Sequence, residues 1–153
     1  MTDSPPPVLL IVEDSDEDFV AFERILLQSA VHCQVRRAVD GDDALNFLFC
    51  QEPYARPNLA PRPSLILLDM NLPGTDSKEV LKQLKQHPNL CSIPVIALSN
   101  GSEPEEVASL YQLGLNSYIV KAISTETFRS NMQLLVEYWF IASVLPPQKI
   151  GYP

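Results

Sequence analysis

Three apolar runs of this sequence end in charged side chains that could bind a cation and a phosphoryl group. The runs span 8–12, 65–68 and 117–120, and the residues that end them are Glu13 and Asp14, Asp69, and Lys121. A carboxylate at the end of a buried segment is costly unless a functional site uses it. Each of these residues alone could be an ordinary turn or surface charge. Their joint occurrence predicts a site.

The side-chain types predict the chemistry of this site. Three carboxylates that lie together repel one another unless a cation or a raised pKa relieves them. Carboxylates, a main-chain carbonyl and water suit octahedral Mg²⁺. A carboxylate beside such an ion can act as a nucleophile and form an aspartyl phosphate, and Asp69 is the candidate. Lys121 supplies a flexible positive charge for a phosphoryl oxygen, and the Ser99 hydroxyl can donate a hydrogen bond to another.

The alternation of apolar and helical patterns predicts how these side chains come together. Strands are predicted at 8–12, 33–39, 65–68, 94–98 and 117–120. Helices are predicted at 16–29, from 40, from 76, from 102, and at 124–143. Five such units predict an α/β fold, a doubly wound five-stranded parallel sheet with helices on both faces. Function in such sheets lies beyond the carboxyl ends of the strands, where all the candidate residues fall.

Local signals predict the ends of the helices and the edge of the sheet. The predicted N-caps are Asp40, Asp76, Ser102 and Ser124, and the acids that complete capping boxes for the first three are Asp43, Glu79 and Glu105. Gly114 is predicted to close the fourth helix. Arg36 and Arg37 indicate that the second strand lies at an edge. The proline-rich stretch 51–63 predicts a surface loop.

Composition excludes several classes of protein. The 153 residues predict one domain with a sizeable core. The formal net charge of −8 argues against direct binding of nucleic acid, which requires a cationic face. No apolar run reaches the ~20 residues of a membrane span and no signal peptide is evident, so we expect no membrane association and a cytoplasmic location. The cysteines lack metal-ligand spacing, and we expect reduced, partly buried thiols.

The motifs around these residues resemble the receiver domains of two-component response regulators. They are Glu13-Asp14, Leu-Leu-Asp69-Met-Asn-Leu-Pro-Gly, Ala-Leu-Ser99-Asn and Ser-Tyr118-Ile-Val-Lys121. The resemblance covers about 8–137, nearly the whole chain. It implies a flavodoxin-like (βα)5 receiver fold and a signalling protein that is not an enzyme. It also implies that Asp69 accepts a phosphoryl group from a phosphohistidine of a sensor histidine kinase.

The resemblance implies a Mg²⁺ site around Asp69. Asp14, Asp69 and the main-chain carbonyl of Asn71 would bind the ion directly, and Glu13 would act through water. Two other interpretations stay open. A phosphatase of the haloacid dehalogenase type also forms an aspartyl phosphate with Mg²⁺, but its nucleophile follows the first strand. A pseudo-receiver would keep the fold and bind partners without being phosphorylated.

The resemblance also implies a switch. Ser99 would move towards the phosphoryl group while Tyr118 swings inward, and the surface of the fourth helix, fifth strand and fifth helix would be remodelled. An aromatic in a strand is usually a packing residue, and the residues alone do not separate that role from a switch for Tyr118. Two positions depart from the family pattern. Ala122 stands where proline usually follows Lys121 in a cis bond, and Ser77 stands where glycine is frequent, which would strain a backbone of positive φ.

The last predicted helix is apolar on more than one side. The residues expected to pack on the sheet are Phe128, Met132, Leu135, Val136 and Trp139. Those expected to add further apolar surface are Leu134, Tyr138, Phe140, Ile141, Val144 and Leu145. An exposed patch of this kind usually marks an interface. It predicts a partner or homodimer contact through the fourth helix, fifth strand and last helix.

The predicted organisation has no output domain. We expect a disordered N-terminal segment at 1–7, a receiver domain with an extended last helix at 8–145, and a C-terminal tail at 146–153. Signalling would then proceed by association with other proteins. The long loop before the third strand and the aromatic last helix resemble the Rcp-type regulators of cyanobacterial phytochromes. This narrower resemblance implies that the partner kinase is a phytochrome.

Overall fold

The computed structural model describes residues 5–56, 58–121 and 124–147, and it contains a five-stranded parallel sheet. The strands are β1 (Val8–Val12), β2 (Gln34–Ala38), β3 (Leu65–Asp69), β4 (Val95–Ser99) and β5 (Ser117–Val120). The helices are α1 (Asp16–Gln28), α2 (Gly41–Leu48), α3 (Ser77–Gln86), α4 (Pro104–Gln112) and α5 (Thr125–Glu137). The strand order is β2-β1-β3-β4-β5. The predicted doubly wound, flavodoxin-like α/β fold is confirmed.

The three central strands β1, β3 and β4 are buried along their whole length. Successive side chains of a strand point to opposite faces. Leu10 therefore packs with Phe47 of α2 and Leu81 of α3, whereas Leu9 packs in a second cluster with Phe22 of α1. Burial on both faces explains why the apolar runs are continuous and do not alternate with polar residues.

The second strand lies at an edge of the sheet, as its arginines predict. Arg36 and Arg37 are half-buried there. The guanidinium carbon of Arg37 lies 4.8 Å from the centroid of the Phe19 ring, and its Nη1 donates to Asp16 Oδ1 at 2.7 Å. Charged side chains of this kind protect an edge strand from pairing with another chain.

Three of the four predicted N-caps are confirmed. Asp40 Oδ1 accepts from the main-chain N–H of Asp43 at 2.7 Å, and the side chains of Asp76 and Ser124 cap α3 and α5. The predicted capping box of Ser102 and Glu105 is wrong. The N-cap of α4 is Glu103, which makes no side-chain capping hydrogen bond within the described residues, because Pro104 takes the first helical position. Proline is pre-organised for that position and has no N–H to satisfy.

Gly114 has a φ of +106° directly after the C-cap of α4, so its predicted role in closing this helix is confirmed. The strain considered for Ser77 does not arise. In the described ranges, the non-glycine residues with positive φ are Cys50 and Asn58. Ser77 instead begins α3. The bond between Lys121 and Ala122 lies outside the described residues.

The last helix has the predicted extent but changes its form. Helix α5 ends at Glu137 and continues as a π-helical turn, Tyr138–Ala142, up to a C-cap at Ser143. Within the described residues, no helix combines the length and the apolar character that a membrane crossing requires. The proposed division at 1–7, 8–145 and 146–153 stays a prediction.

The cysteine prediction is partly confirmed. Within the described residues, Cys33, Cys50 and Cys91 form no disulfide bond. Cys33 and Cys50 are half-buried as expected, but Cys91 is exposed because it lies in the turn after α3. Burial raises the pKa of Cys33 and of Cys50, which makes these two thiols less reactive.

Candidate functional site

The register of the sheet brings the predicted site residues to one edge. Val12 of β1 pairs with Leu68 of β3, so Glu13 and Asp69 follow side by side. Asp69 in turn pairs with Leu98, the residue before Ser99 in β4. Because all these strands are parallel, their carboxyl ends meet at the same edge, as the sequence predicts.

The ammonium group of Lys121 lies at the centre of the site. Its Nζ is 2.8 Å from Asp69 Oδ2, 3.2 Å from Glu13 Oε2 and 3.1 Å from Asp18 Oδ2. Lys121 follows β5, and its main-chain N–H donates to the carbonyl of Ser99 at 2.6 Å, which holds the end of β5 against β4. Lys121 therefore contacts the carboxylates, although alanine follows it where proline is usual in the family.

Hydrogen bonds orient the carboxylate of Asp69. Its Oδ1 accepts from the main-chain N–H of Asn71 at 2.8 Å, while Oδ2 accepts from Lys121. Its main-chain carbonyl accepts from the hydroxyl of Ser77 at 2.5 Å, and both residues are buried. Sequence reasoning considered Ser77 only as a departure from the family pattern and missed its role as a hydrogen-bond donor. Its hydroxyl is a useful donor here because a buried carbonyl at the end of a strand needs a partner.

Glu13, Asp14 and Asp69 can hold a metal ion together. One carboxylate oxygen of each lies within 4.8 Å of the others. Glu13 and Asp69 are buried, whereas Asp14 is exposed, so an ion could enter from the side of Asp14. Carboxylate oxygens are the ligands that Mg²⁺ and Mn²⁺ prefer. The donor set therefore fits a divalent cation.

Burial and proximity shift the pKa of each central group. Burial, reinforced by the carboxylate of Asp69, raises the pKa of Glu13 to about 7. Burial also opposes the charged form of Asp69, but the carboxyl group of Glu13 and the ammonium of Lys121 outweigh it and lower the pKa of Asp69. Burial opposes the ammonium as well, yet the charges of Asp69 and Asp18 raise the pKa of Lys121. Asp69 is thus ionised near neutral pH beside a charged lysine.

The two predicted switch residues border the loop between β4 and α4. Ser99 is buried, and its Oγ accepts from the main-chain N–H of Gly101 at 3.4 Å. The Tyr118 ring is half-buried against the core, and its hydroxyl donates to the carbonyl of Gly101 at 2.5 Å. Both side chains therefore contact the same loop residue. Their coupled movement stays a prediction.

Asp18 is a residue of the site that sequence reasoning did not identify. Its carboxylate contacts Lys121, although it belongs to the acidic first turn of α1. Acids in the first turn of a helix are ordinarily solvated and favoured there by the helix dipole. Spacing does not distinguish Asp18 from its neighbours Asp16 and Glu17, so the sequence carries no separate signal for it.

The loop that carries Asn71 packs closely against the start of α2. The main-chain N–H of Gly41 donates to the carbonyl of Pro73 at 3.4 Å. A Cβ atom at Gly41 would overlap the main-chain carbonyl of Thr75. The hydroxyl of Thr75 also donates to Asp42 Oδ1. Gly41 is thus required by a close approach of two backbones.

We expect Gly41→Ala to lower the free energy of unfolding by about 1–3 kcal/mol, since the loop must move away from the new methyl group. This sign is opposite to the gain of about 1 kcal/mol that alanine normally brings within a helix. The displaced loop should also weaken Mg²⁺ binding. Urea unfolding and calorimetric Mg²⁺ titration measure the two effects.

The matched control is Gly101→Ala, because a Cβ atom there would have no neighbour within 4 Å among the described residues. Its effect on the free energy of unfolding should stay within about 0.5 kcal/mol. Equal stabilities for the two variants would show that the contact between Gly41 and Thr75 carries no constraint.

Comparisons with known proteins agree with this geometry. The family model described as "Response regulator receiver domain" matches residues 9–133. The chain is 36% identical over 143 residues to the response regulator Rcp1 of Synechocystis sp. (strain ATCC 27184 / PCC 6803 / Kazusa), covering 94% of this chain and 95% of that protein. It is 30% identical to a probable cyclic di-GMP phosphodiesterase of Vibrio cholerae, but covers only 27% of that protein. That match therefore concerns one part of the phosphodiesterase.

Two solved structures are similar over their whole length. The Mn²⁺-bound form of response regulator Rcp1 has a TM-score of 0.86 and 35% identity, covering 93% of this chain and 100% of that chain. The phosphorylated cyanobacterial phytochrome response regulator RcpA has a TM-score of 0.85 and 33% identity, covering 94% and 100%. One of these similar structures thus holds a divalent ion, and the other is phosphorylated.

Proposed function

The chain belongs to the family of response regulator receiver domains, and from that premise we propose that Asp69 accepts a phosphoryl group from a sensor histidine kinase. One observation carries this proposal. Asp69 Oδ2 lies 2.8 Å from Lys121 Nζ, and its carboxylate adjoins those of Glu13 and Asp14. The candidate nucleophile Asp69, the ammonium of Lys121 and the candidate metal ligands thus lie together at the carboxyl edge of the sheet.

The proposed reaction is a phosphoryl transfer from phosphohistidine to aspartate. A carboxylate oxygen of Asp69 forms a bond to phosphorus while the P–N bond breaks, and the electron pair of that bond remains on the imidazole nitrogen. Lys121 balances negative charge on the transferred group, and the hydroxyl of Ser99 donates to one of its oxygens. Removing such a donor from a transfer site typically slows the reaction by about 100-fold or more.

The proposed cofactor is Mg²⁺. Asp14, Asp69 and the main-chain carbonyl of Asn71 would bind the ion directly, and Glu13 would act through water. A bound ion would supply neutralisation of charge on the phosphoryl oxygens. The chain's own part is to hold Asp69 in place, through the hydrogen bonds from Asn71 and Lys121.

The proposed partner is a phytochrome kinase. Support comes from the similarity to RcpA and to a bacteriophytochrome response regulator, RtBRR, which is 30% identical with a TM-score of 0.73. A cytoplasmic location is part of this proposal. Phosphotransfer from a panel of purified histidine kinases tests it. Fastest transfer from a kinase that is not a phytochrome would overturn this assignment while leaving Asp69 as the acceptor.

The proposed output is homodimerisation through the face of α4, β5 and α5. Large apolar side chains are exposed at the end of this face, with exposed fractions of 66% for Leu134, 56% for Tyr138 and Ile141, and 98% for Val144. Tyr111 of α4 is also exposed. A groove of about 640 Å³ separates β5 from α5 beside Leu134 and Tyr138. Large exposed apolar patches often mark an interface, so these side chains are the basis of the proposal.

Not all of the predicted apolar surface is available for this contact. Phe140 packs against the core together with Trp139, because it follows the buried Met132 and Val136 at helical spacing. Leu145 is half-buried. The dimer surface we propose therefore centres on Leu134, Tyr138 and Ile141.

We expect Ile141→Glu to shift the equilibrium towards monomer, because a charge would then have to be buried in the contact. A loss of about 2 kcal/mol in the free energy of association, roughly 30-fold in Kd, is typical for a central interface residue. Analytical ultracentrifugation of the unphosphorylated and phosphorylated chain measures it. The matched control is Leu27→Glu on α1, where Leu27 is 85% exposed. A wild type that stays monomeric at micromolar concentrations, phosphorylated or not, would refute this output.

No observation favours the two alternative functions. In a phosphatase of the haloacid dehalogenase type the nucleophile follows the first strand, but Asp69 ends β3, the third along the chain. A pseudo-receiver is not phosphorylated, so it would not require the hydrogen bonds from Lys121 and Asn71 that orient the carboxylate of Asp69. Sustained turnover of small phosphate esters by Asp69 would favour the phosphatase. A wild type that never gains a phosphoryl group would favour the pseudo-receiver.

A further inference from the structure

The ammonium of Lys121 is shared among three carboxylates, and one of them does not belong to the metal cluster. An ammonium group has three protons to donate. In this structure they face Asp69, Glu13 and Asp18 at 2.8, 3.2 and 3.1 Å. Asp69 and Glu13 are also members of the candidate metal site, whereas Asp18 is not. A metal ion or a phosphoryl group at Asp69 would therefore leave the carboxylate of Asp18 available to Lys121.

The N-cap of α1 holds the main chain of Asp18. Ser15 is the N-cap of this helix, and its hydroxyl accepts from the main-chain N–H of Asp18 at 3.2 Å. The carboxylate of Asp18 is 46% exposed, while the side chain of Lys121 is only 14% exposed. Asp18 thus extends from the exposed edge of the site to the buried ammonium group of Lys121.

The surroundings of Lys121 leave it room to move. A cavity of about 320 Å³ adjoins Lys121, and Asp18, Phe22, Asn100 and Thr125 contribute to its walls. Lysine has a long flexible side chain, so holding it in one geometry costs rotamer entropy. Of the three carboxylates around Nζ, the one that faces it from α1 is that of Asp18, and it takes no part in the candidate metal cluster.

We propose that Asp18 is a positioning residue that holds the ammonium of Lys121 beside the phosphoryl group during transfer to Asp69. This inference rests on the proposed function and adds a residue outside the metal site to it. The chemical step is unchanged, because Asp18 neither bonds to phosphorus nor exchanges a proton. Its effect is on geometry, and displacement of a catalytic group by about 1 Å can slow a reaction by as much as 100-fold.

The test compares Asp18→Ala with Asp16→Ala. Both changes remove an acid from the first turn of α1, and so both lose the same interaction with the helix dipole. Asp16 pairs with Arg37 rather than with Lys121. With acetyl phosphate and saturating Mg²⁺, Asp18→Ala should be phosphorylated about tenfold more slowly than the wild type, since Lys121 is no longer held in place. Asp16→Ala should match the wild type within about twofold, as for an exposed ion pair.

A conservative variant separates positioning from charge and from folding. Asp18→Asn keeps an oxygen that can accept from Lys121, so it should recover most of the lost rate, while the Mg²⁺ dissociation constant stays within about twofold for all three variants. Equal rates for Asp18→Ala and Asp16→Ala would overturn the inference, and so would a faster Asp18→Ala. Failure of the wild type to accept a phosphoryl group would instead overturn the proposed function itself.

Discussion

Asp69→Asn abolishes the gain of a phosphoryl group when the chain is incubated with acetyl phosphate and Mg²⁺. The wild type should gain the mass of one phosphoryl group by intact mass spectrometry, and the variant should gain none. The physical reason is that the amide has no anionic oxygen to attack phosphorus. The fold should survive, because an asparagine side-chain oxygen can still accept from the main-chain N–H of Asn71.

Asp76→Asn is the matched control for this result. Asp76 is an exposed N-cap of α3, and asparagine caps a helix as well as aspartate does. The control variant should be phosphorylated at the wild-type rate. A phosphoryl group on Asp69→Asn would show that another residue is the acceptor, and the proposal for Asp69 would then be wrong.

Lys121→Met should slow phosphorylation by about 100-fold or more, as expected when one donor to a developing charge is removed. The same variant should bind Mg²⁺ more tightly, by about tenfold, because the ammonium and the metal ion compete for the same buried carboxylates. Lys121 Nζ contacts two of the three acids of the metal cluster, Glu13 and Asp69. Time courses of phosphorylation quenched at set times measure the rate, and calorimetric Mg²⁺ titrations measure the dissociation constant.

The opposite signs of these two effects distinguish a catalytic loss from a loss of folding. An unfolded variant would lose both phosphorylation and Mg²⁺ binding. Lys78→Met is the control, because Lys78 is exposed and contacts the hydroxyl of Ser109. It should change neither value by more than about twofold, as for other exposed surface contacts. A Lys121→Met variant that is phosphorylated at the wild-type rate would remove this lysine from the mechanism.

The main acids and the lysine could be placed from sequence because the fold is periodic. A buried parallel strand is a continuous apolar run, so its end is visible as the first charged residue. Glu13, Asp69 and Lys121 all follow such runs, and parallel pairing brings the ends together. The acid cluster therefore follows from local patterns and one topological rule.

Residues whose role depends on a distance between loops or helices could not be placed in this way. Gly41 is required because the carbonyl of Thr75 lies against it, and Ser77 because a strand-end carbonyl lies within reach. No sequence pattern indicates either of these two contacts. The predicted capping box at Ser102 failed for a local reason, since a proline two residues later takes the first helical position.

Periodicity and residue type thus establish from the sequence an α/β sheet, an acidic site with a lysine at its carboxyl edge, and an apolar last helix. The assignment of Asp18 to this site depends on the tertiary structure. Three acids occupy the first turn of α1, and their order along the chain does not reveal which of them faces Lys121. That choice is made by the packing of α1 and β5 on the sheet, which directs Asp18 to the lysine and Asp16 to Arg37.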